Sequence, residues 1–339
     1  PTLRIICEKE DERDMHVAKE LWPLKATFTF EESRFDADLV SVNDRNLNND
    51  PLNIEEEVKK VIEELDESTF LLSEVETKPQ TSSPKPPFRT STLQMAASSS
   101  LGFTADRTMN AAQKLYEGGL ITYLRTDGIS ISTSPNTGDP FSEENPGPPP
   151  LQEIRNLITN KFGDSYLSEK VRVYKAKVQN SQEAHEAIRP TDISKSPNEV
   201  SLGNDEERLY SLIWNRTVAS QMVNSRYERK ILTIDSHDKK YSFKASSRKN
   251  VFLGFETLTK EGEDADFQFP ENLVKDINLD LTSREAEQKF TTPPNRFSEA
   301  SLIKRMEEEG IGRPSTYATI VKALRTKKYT YGTKSIAPS

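Results

Sequence analysis

The sequence predicts a multi-domain α+β protein. With 339 residues it exceeds the usual size of one domain, so two or three domains are expected. Two blocks, 24–76 and 227–281, are rich in segments with the alternation of apolar and polar residues that is typical of strands, and a mainly helical stretch lies between these blocks. A segment rich in Pro and Ser at 78–87 marks one boundary, and the segment 291–294 marks another. This order indicates a β domain that a helical domain interrupts.

The first half of the chain begins with a predicted helix at 2–19. Between residues 24 and 39, apolar and polar residues alternate, which is typical of a β-hairpin. At 54–65 apolar residues recur at helical spacing, which predicts an amphipathic helix packed on a sheet. Alternation at 70–76 then predicts a strand that leads into the segment rich in Pro and Ser.

The second half carries most of the predicted helices. Thr104 is the expected N-cap of a helix that ends near residue 117. The stretch 92–117 as a whole is expected to be mostly helical, and further helices are expected at 151–162, 205–222, 298–309 and 315–325, with a turn at 310–312. Strands are expected at 231–234, 241–245, 251–255 and 277–281.

Composition excludes several kinds of protein. A single cysteine, Cys7, excludes an intramolecular disulfide framework and a zinc site built from cysteines, and indicates an intracellular protein. No run of about 18 apolar residues occurs, so no membrane span is predicted. The net charge of −8 argues against indiscriminate binding of duplex DNA, which depends on neutralising phosphates, but allows a local basic groove. No P-loop pattern for ATP is present.

The most informative stretch is 113–128, Gln-Lys-Leu-Tyr-Glu-Gly-Gly-Leu-Ile-Thr-Tyr-Leu-Arg-Thr-Asp-Gly. A helix is predicted to end at its two glycines, and an extended piece at 120–124 should follow. Tyr123, Arg125 and Asp127 would then project to one side, because strand side chains alternate. Tyrosine can form a covalent ester, and arginine offers a planar fork to phosphate oxygens. Taken alone, the stretch also fits a half-buried strand that ends in a solvated turn.

Two further segments carry residues suited to phosphate chemistry. In Ser-Gln-Glu-Ala-His-Glu-Ala-Ile-Arg-Pro-Thr-Asp at 181–192, the imidazole of His185 has an ordinary pKa of about 6.5, which suits proton sharing or phosphate contact near neutrality. A surface histidine is the alternative. In Gly-Ile-Gly-Arg-Pro-Ser-Thr-Tyr-Ala-Thr-Ile-Val-Lys at 310–322, Ser315 and Thr316 supply hydroxyls at a helix start, a natural phosphate seat. An ordinary capped helix is the alternative there.

The three segments, in this order, resemble signatures of type IA DNA topoisomerases. Ile-Thr-Tyr-Leu-Arg-Thr-Asp resembles the active-site segment of that family, in which the tyrosine becomes linked to a 5′ DNA phosphate. Ala-His-Glu-Ala-Ile-Arg-Pro and Gly-Arg-Pro-Ser-Thr-Tyr resemble two further family signatures. The resemblance covers nearly the whole chain, including Pro-Pro-Phe-Arg-Thr-Ser-Thr-Leu at 86–93.

The resemblance implies the family architecture, a toroidal clamp. A β-arch (hinge) domain would comprise 23–87 and 223–289. A helical domain with the active-site tyrosine would comprise 88–222. Segments 1–22 and 290–339 would form part of a winged-helix-like DNA-binding domain.

The resemblance also assigns roles to individual residues. The catalytic residues it implies are Tyr123, Arg125 and His185. The DNA-binding residues it implies are Gln113, Glu117, Thr122, Thr126, Asp127, Arg189, Arg313, Ser315 and Thr316.

The implied function is ATP-independent relaxation of negatively supercoiled DNA. One strand would be opened through a 5′-phosphotyrosyl intermediate, another strand passed, and the first resealed. The resemblance implies single-stranded and negatively supercoiled DNA as partners, a monomer, and a cytoplasmic, nucleoid-associated location. The family's Mg²⁺ ligands lie in a Toprim module expected before residue 1, and a zinc ribbon is expected beyond this chain. The chain by itself is therefore expected to be inactive and to bind no zinc.

Two other functions fit some of the same residues. One is a noncatalytic module that binds single-stranded DNA. The other is a tyrosine recombinase, which also uses Tyr, Arg and His on phosphodiesters. The recombinases place the tyrosine after the arginine and histidine, whereas Tyr123 precedes His185 here.

Overall fold

The structure is a computed structural model that describes residues 1–133, 149–174, 186–259, 269–270 and 272–339. Its helices are α1 (Thr2–Asp14), α2 (Glu55–Asp66), α3 (Thr90–Leu101), α4 (Ala105–Glu117), α5 (Pro150–Phe162), α6 (Asn204–Ala219), α7 (Glu299–Glu308) and α8 (Tyr317–Thr326). Its strands are β1 (Glu20–Leu21), β2 (Leu24–Phe30), β3 (Ser33–Val42), β4 (Arg45–Asn46), β5 (Phe70–Ser82), β6 (Ser225–Ser236), β7 (Tyr241–Phe252), β8 (Asn278–Ala286), β9 (Lys289–Phe290), β10 (Thr330–Tyr331) and β11 (Ala337–Pro338). Among the described residues, no helix combines the length and hydrophobicity that crossing a bilayer requires.

A closed antiparallel barrel forms the β part of the molecule. Six strands follow one another in the order β2, β8, β5, β6, β7 and β3, and β3 pairs again with β2. Closure leaves no open edge in this ring, and β4 adds a short pairing on β3. Inside the barrel, Phe28 packs edge-on against Phe70 and Phe243, each at a ring distance of 5.3 Å. Helix α2 packs three buried residues into the same cluster: Val58, Val61 and Leu65.

Three strands continue beyond the barrel as a sheet arm, which we define as residues 76–82 of β5, 225–231 of β6 and 246–252 of β7. Strand β5 pairs with β8 only at its first two residues, so the rest of β5 is an edge. Proline is tolerated at an edge, and Pro79 lies opposite Glu228 on β6. The predicted boundary at 78–87 is therefore wrong in its first five residues, which belong to β5.

The helical part is inserted between two paired strands. Ser82 lies opposite Ser225, so the chain leaves the sheet arm and returns to it at neighbouring positions. Helices α3 to α6 enclose a separate hydrophobic cluster around the buried Tyr210 and Trp214. The helices predicted in this region are confirmed, and the hydroxyl of Thr104 accepts a hydrogen bond from the backbone N–H of Arg107, as expected of an N-cap.

A tight corner joins the sheet arm to the helical insertion. Residues 251–255 were predicted as a strand, but β7 ends at Phe252 and a 3-10 helix, Gly254–Leu258, follows. Gly254 has a φ of +51°, and a Cβ there would lie 2.5 Å from the carbonyl oxygen of Asn224. The chain therefore turns where glycine alone fits, and Phe255 enters the helical cluster.

The two ends of the chain form a third cluster. Strands β1 and β9 pair antiparallel, which brings the first and last segments together. Ile5 and Ile6 of α1 pack with Leu302 and Ile303 of α7, and Ala105 of α4 joins the same cluster. The helix predicted at 2–19 ends earlier, at Asp14. The family names of the domains remain predictions.

Candidate active site

The segment that carries Tyr123 is irregular. Helix α4 ends at Glu117, and Gly119 adopts a φ of +69°, which turns the chain as the two glycines predicted. The strand predicted at 120–124 is wrong, because only one isolated antiparallel bridge forms, between Ile121 and Pro190. Even so, Tyr123 and Arg125 are exposed, whereas Leu124 and Thr126 are buried.

Helix α3 holds this segment through hydrogen bonds of Thr90. Thr90, at its first turn, is fully buried and donates its hydroxyl to the carbonyl oxygens of Leu124 at 2.7 Å and Thr126 at 3.1 Å. The backbone N–H of Thr126 donates back to the Thr90 hydroxyl at 2.9 Å. Backbone groups that lack a strand ladder thereby find partners, as buried polar groups require.

The ring of Tyr123 is accessible. Its side chain is 49% exposed, and it packs edge-on against Tyr116 with ring centres 5.5 Å apart. An accessible phenol beside an exposed guanidinium can meet a phosphodiester from solvent. A ring buried in a core would have excluded this chemistry.

Arg125 connects the Tyr123 segment to the loop before α8. Its Nη1 donates to the carbonyl oxygen of Ser315 at 3.1 Å. In the same loop, Arg313 folds back, and its Nη1 donates to the carbonyl oxygens of Gly312 at 2.7 Å and Gly310 at 3.3 Å. Two exposed guanidinium groups therefore share one loop, although they come from distant parts of the chain.

The predicted phosphate seat before α8 is partly occupied by the protein itself. The hydroxyl of Thr316 accepts from the backbone N–H of Arg313 at 2.8 Å and donates to the Arg313 carbonyl at 3.2 Å. The helix begins at Tyr317, two residues later than predicted. Ser315, Thr316 and Arg313 are all exposed.

Residues 186–190 buttress the Tyr123 segment from the other side. Thr122 donates its hydroxyl to the carbonyl oxygen of Ala187 at 2.7 Å, and Thr126 donates to that of Glu186 at 3.0 Å. Arg189 is only 6% exposed, and its guanidinium pairs with both carboxylate oxygens of Glu186 at 2.8 and 3.0 Å. In the structure, the polar groups of these predicted DNA-binding residues hold protein segments together. Their contact with DNA stays a prediction.

The structure also describes three other predicted site residues, Gln113, Glu117 and Asp127. Gln113 donates to the carboxylate of Glu117 at 2.8 Å on the exposed last turn of α4. Asp127 is half-buried. Burial raises the pKa of the Tyr317 phenol, and the carboxylates of Glu307 and Asp127 act in the same direction. His185 lies outside the described residues.

Sequence reasoning missed a polar cluster that joins α3 to α7. Arg89 donates to Glu307 at 2.6 Å and to the hydroxyl of Ser91 at 3.0 Å, and Ser91 donates to the other Glu307 oxygen at 2.7 Å. The motif at 86–93 contains Arg89 and Ser91, but nothing in the sequence links them to a glutamate 218 residues away from Arg89. No group of three or more His, Cys, Asp or Glu that could hold a metal ion occurs in the described part of the chain.

Comparison with known proteins identifies the family of this chain. The family model described as DNA topoisomerase matches residues 1–339. The chain belongs to the DNA topoisomerase family. It is 40% identical over 343 residues to DNA topoisomerase 1 of Rickettsia bellii (strain RML369-C), an alignment that covers 96% of this chain and 41% of that relative. DNA topoisomerase 1 of Xylella fastidiosa (strain Temecula1) is 36% identical, with 97% of this chain and 41% of the relative covered.

A solved structure has the same fold as this topoisomerase chain. Full-length topoisomerase I from Thermotoga maritima superimposes with a TM-score of 0.80 and 31% sequence identity, covering 100% of this chain and 52% of the other. The resemblance to type IA topoisomerases and the mixed α/β fold are confirmed. The chain spans about two fifths of the length of the two curated relatives and about half of the solved one.

Proposed function

We propose that this chain supplies the nucleophile of an ATP-independent type IA topoisomerase that relaxes negatively supercoiled DNA. The observation that carries the proposal is a half-exposed Tyr123 two residues from an arginine that is anchored on the loop of Arg313. The proposed substrate is single-stranded DNA within a negatively supercoiled molecule. The enzyme would act as a monomer on cytoplasmic, nucleoid-associated DNA.

The reaction exchanges one phosphoester for another. The phenol of Tyr123 gives up its proton as its Oη forms a bond to a backbone phosphorus, the bond from that phosphorus to the 3′ oxygen breaks, and the 3′ oxygen takes up a proton. The 5′ phosphate stays on the tyrosine while another strand passes. Because the new ester retains the energy of the broken bond, the 3′ hydroxyl can attack it and reseal the strand without ATP.

Arg125 is the residue we expect to stabilise the transition state. A guanidinium has five N–H donors, and the contact with Ser315 uses Nη1, so further donors can meet a phosphate oxygen. A donor aimed at developing negative charge contributes about 3 kcal/mol in other active sites. The hydrogen bond to the Ser315 carbonyl would orient the guanidinium of Arg125 before DNA binds. This lowers the entropic cost of positioning the guanidinium for the reaction.

The phenol needs assistance that this part of the chain does not supply alone. An ordinary tyrosine has a pKa of about 10, so it is a weak nucleophile near neutrality. We propose that His185 and a Toprim module act beside Tyr123, and that Mg²⁺ belongs to that module. The described residues offer no cluster that fits the ion. On this proposal the chain binds single-stranded DNA by itself but requires the module for cleavage.

The proposal is tested by trapping the covalent intermediate. A single-stranded oligonucleotide labelled at its 3′ end is incubated with the chain, with and without an added Toprim module, and the denatured protein is analysed for label. Labelled protein is expected only with the module, and Tyr123→Phe should abolish it. Tyr116→Phe is the matched control, because that exposed ring lies 5.5 Å away, and it should retain the adduct.

Two results would overturn parts of the proposal. An adduct that persists in the Tyr123→Phe variant would exclude Tyr123 as the nucleophile. Failure of the wild-type chain to form an adduct with the module would favour a noncatalytic module that binds single-stranded DNA. Relaxation by the chain without the module would overturn the proposed dependence on it.

A further inference from the structure

A row of three cations crosses the sheet arm. Lys78 on β5 lies directly opposite Arg229 on β6, and Arg229 lies directly opposite Arg248 on β7. Residues directly opposite one another in antiparallel strands point to the same face of the sheet. Lys78 and Arg229 are exposed and Arg248 is half-buried, so the row is open to solvent.

This arrangement is costly for a sheet. Like charges directly opposite each other destabilise strand pairing, and the whole chain carries a net charge of −8. Among the residues that the structure describes, the compensation within the row is incomplete. Lys78 contacts Glu76 at 2.7 Å, whereas Arg229 donates to the uncharged Ser246 hydroxyl at 3.2 Å and Arg248 lies over the Tyr227 ring at 4.9 Å.

The opposite face of the same arm is arranged differently. Lys249 follows Arg248 in sequence and therefore points to the other face, where it lies directly opposite Glu228. One face thus matches a cation with an anion, while the other aligns three cations. An external anion would supply the missing countercharge of the row.

The dimensions of the row fit a nucleic-acid backbone. Neighbouring strands lie about 4.8 Å apart, so three strands span about 10 Å. A row of this length can lie along a short stretch of one nucleic-acid backbone, whose phosphates each carry a negative charge. Tyr227, partly covered by Arg248, adds an aromatic side chain of the kind that proteins use beside single strands.

We propose that Lys78, Arg229 and Arg248 form a second DNA-binding site, which holds the phosphodiester backbone of a single strand on the sheet arm. The site lies on β5 to β7, whereas Tyr123 lies in the helical insertion and contacts the loop before α8 through Arg125. It rests on the proposed function only in taking DNA as the polymer. The contacts are with phosphates, so the site does not select a base sequence.

The experiment measures equilibrium binding of a fluorescent single-stranded oligonucleotide by anisotropy as the salt concentration is raised, without added metal or Toprim module. The variant Arg229→Gln/Arg248→Gln should bind about tenfold more weakly at 0.1 M salt. Its plot of log K against log salt should be shallower by about 1.4, because each lost single-strand phosphate contact removes about 0.7. Lys249→Gln is the matched control and should change neither quantity comparably.

A second variant separates charge from structure. Arg229→Lys/Arg248→Lys keeps both charges, so it should keep the wild-type salt dependence, while the melting temperatures of all variants report folding. A salt dependence for Arg229→Gln/Arg248→Gln equal to that of the wild type or of Lys249→Gln would overturn the proposal. No cleavage is measured here, so this result and the result of trapping the Tyr123 adduct can fail independently.

Discussion

Three threonines hold the segment of Tyr123 in place through side-chain hydrogen bonds. Each donates its hydroxyl to a main-chain carbonyl: Thr90 to Leu124 and Thr126, Thr122 to Ala187, and Thr126 to Glu186. The segment lacks the regular ladder of a strand, so side chains supply the partners that its backbone requires. At the residue scale, the position of the proposed nucleophile therefore depends on side-chain hydrogen bonds within the protein.

Replacing Thr90 by valine should destabilise the protein. Thr90→Val preserves the shape of the side chain but leaves two buried carbonyls and one N–H without this hydroxyl, a loss of about 1–3 kcal/mol in the free energy of unfolding. Urea unfolding measures it. Ser99→Ala on the exposed end of the same helix is the control, expected within about 0.5 kcal/mol of wild type. Equal effects of the two changes would contradict this role of Thr90.

Replacing Arg125 by lysine should impair adduct formation without affecting stability. Lysine keeps the charge but lacks the planar fork, and the loss of one aligned donor lowers rates by about 10²-fold in comparable sites. The rate of adduct formation with added Toprim module measures this, and the melting temperature should not change because Arg125 is exposed. Arg107→Lys, an exposed substitution on α4, should leave the rate unchanged. An undiminished rate for Arg125→Lys would exclude the proposed role.

At the scale of elements, the carboxylate of Glu64 is one of those that connect α2 to the strands. Glu64 of α2 accepts hydrogen bonds from the ammonium of Lys240, beside β7, and from the phenol of Tyr241. The Lys240 and Tyr241 hydrogen bonds lower the pKa of Glu64, although burial opposes this. Burial, followed by the hydrogen bond to Glu64, raises the pKa of Tyr241. The helix is thus held on the barrel by charge as well as by its apolar face.

The Glu64 contact should make stability depend on pH in the acid range. A carboxyl whose pKa is lower when folded stabilises the protein fully above its unfolded pKa of about 4.5, and this contribution is lost as the pH falls through the folded pKa. Glu64→Gln should therefore be less stable than wild type at pH 7, and the difference should vanish in strong acid. Urea unfolding between pH 3 and 8 measures it. Glu63→Gln, on the exposed side of α2, should follow wild type, and a gap for Glu64→Gln that persists in acid would contradict the assignment.

At the scale of the whole molecule, the helical insertion is held at two places. Its chain continues directly from the sheet arm, and it packs non-covalently against the cluster that the two ends of the chain form. This non-covalent contact is largely polar. The carboxylate of Glu307 accepts hydrogen bonds from Arg89 and Ser91, and buried Glu299 accepts one from the backbone N–H of Ala105 at 2.7 Å. This packing brings Arg125 to the loop of Arg313, so the candidate site exists only while the two parts stay together.

Breaking the Arg89–Glu307 pair should destabilise the contact between the two parts. The side chains are 19% and 13% exposed, so Glu307→Met leaves a largely buried guanidinium without its carboxylate, at a cost of about 3 kcal/mol. Arg89→Met/Glu307→Met should recover part of that loss, because no unpaired charge remains. Thermal unfolding of Arg89→Met, Glu307→Met and the double variant measures the coupling energy between the two side chains. Strict additivity of the two single effects would show that the pair is not coupled.

Much of the local structure could be predicted from the sequence. The hairpin at 24–39, the N-cap at Thr104 and the end of α4 at its glycines are set by residues close in sequence, and all three are confirmed. The predictions that failed depend on distant partners. Residues 78–82 extend β5 despite Pro79 because β6 pairs with them. Residues 120–124 are not a strand because only Ile121 forms a bridge with the neighbouring segment 186–190.

The sequence by itself determined the family, since the order of Tyr, Arg and Ser-Thr segments indicated it before any fold was known, and it predicted which residues carry the chemistry. Only the tertiary structure decided how those residues meet. Arg125 and Ser315 are separated by 190 residues, and no periodicity or cap records their contact. Such a contact follows from the packing of α3 and α4 on the terminal helices, whose own apolar cluster is assembled from both ends of the chain.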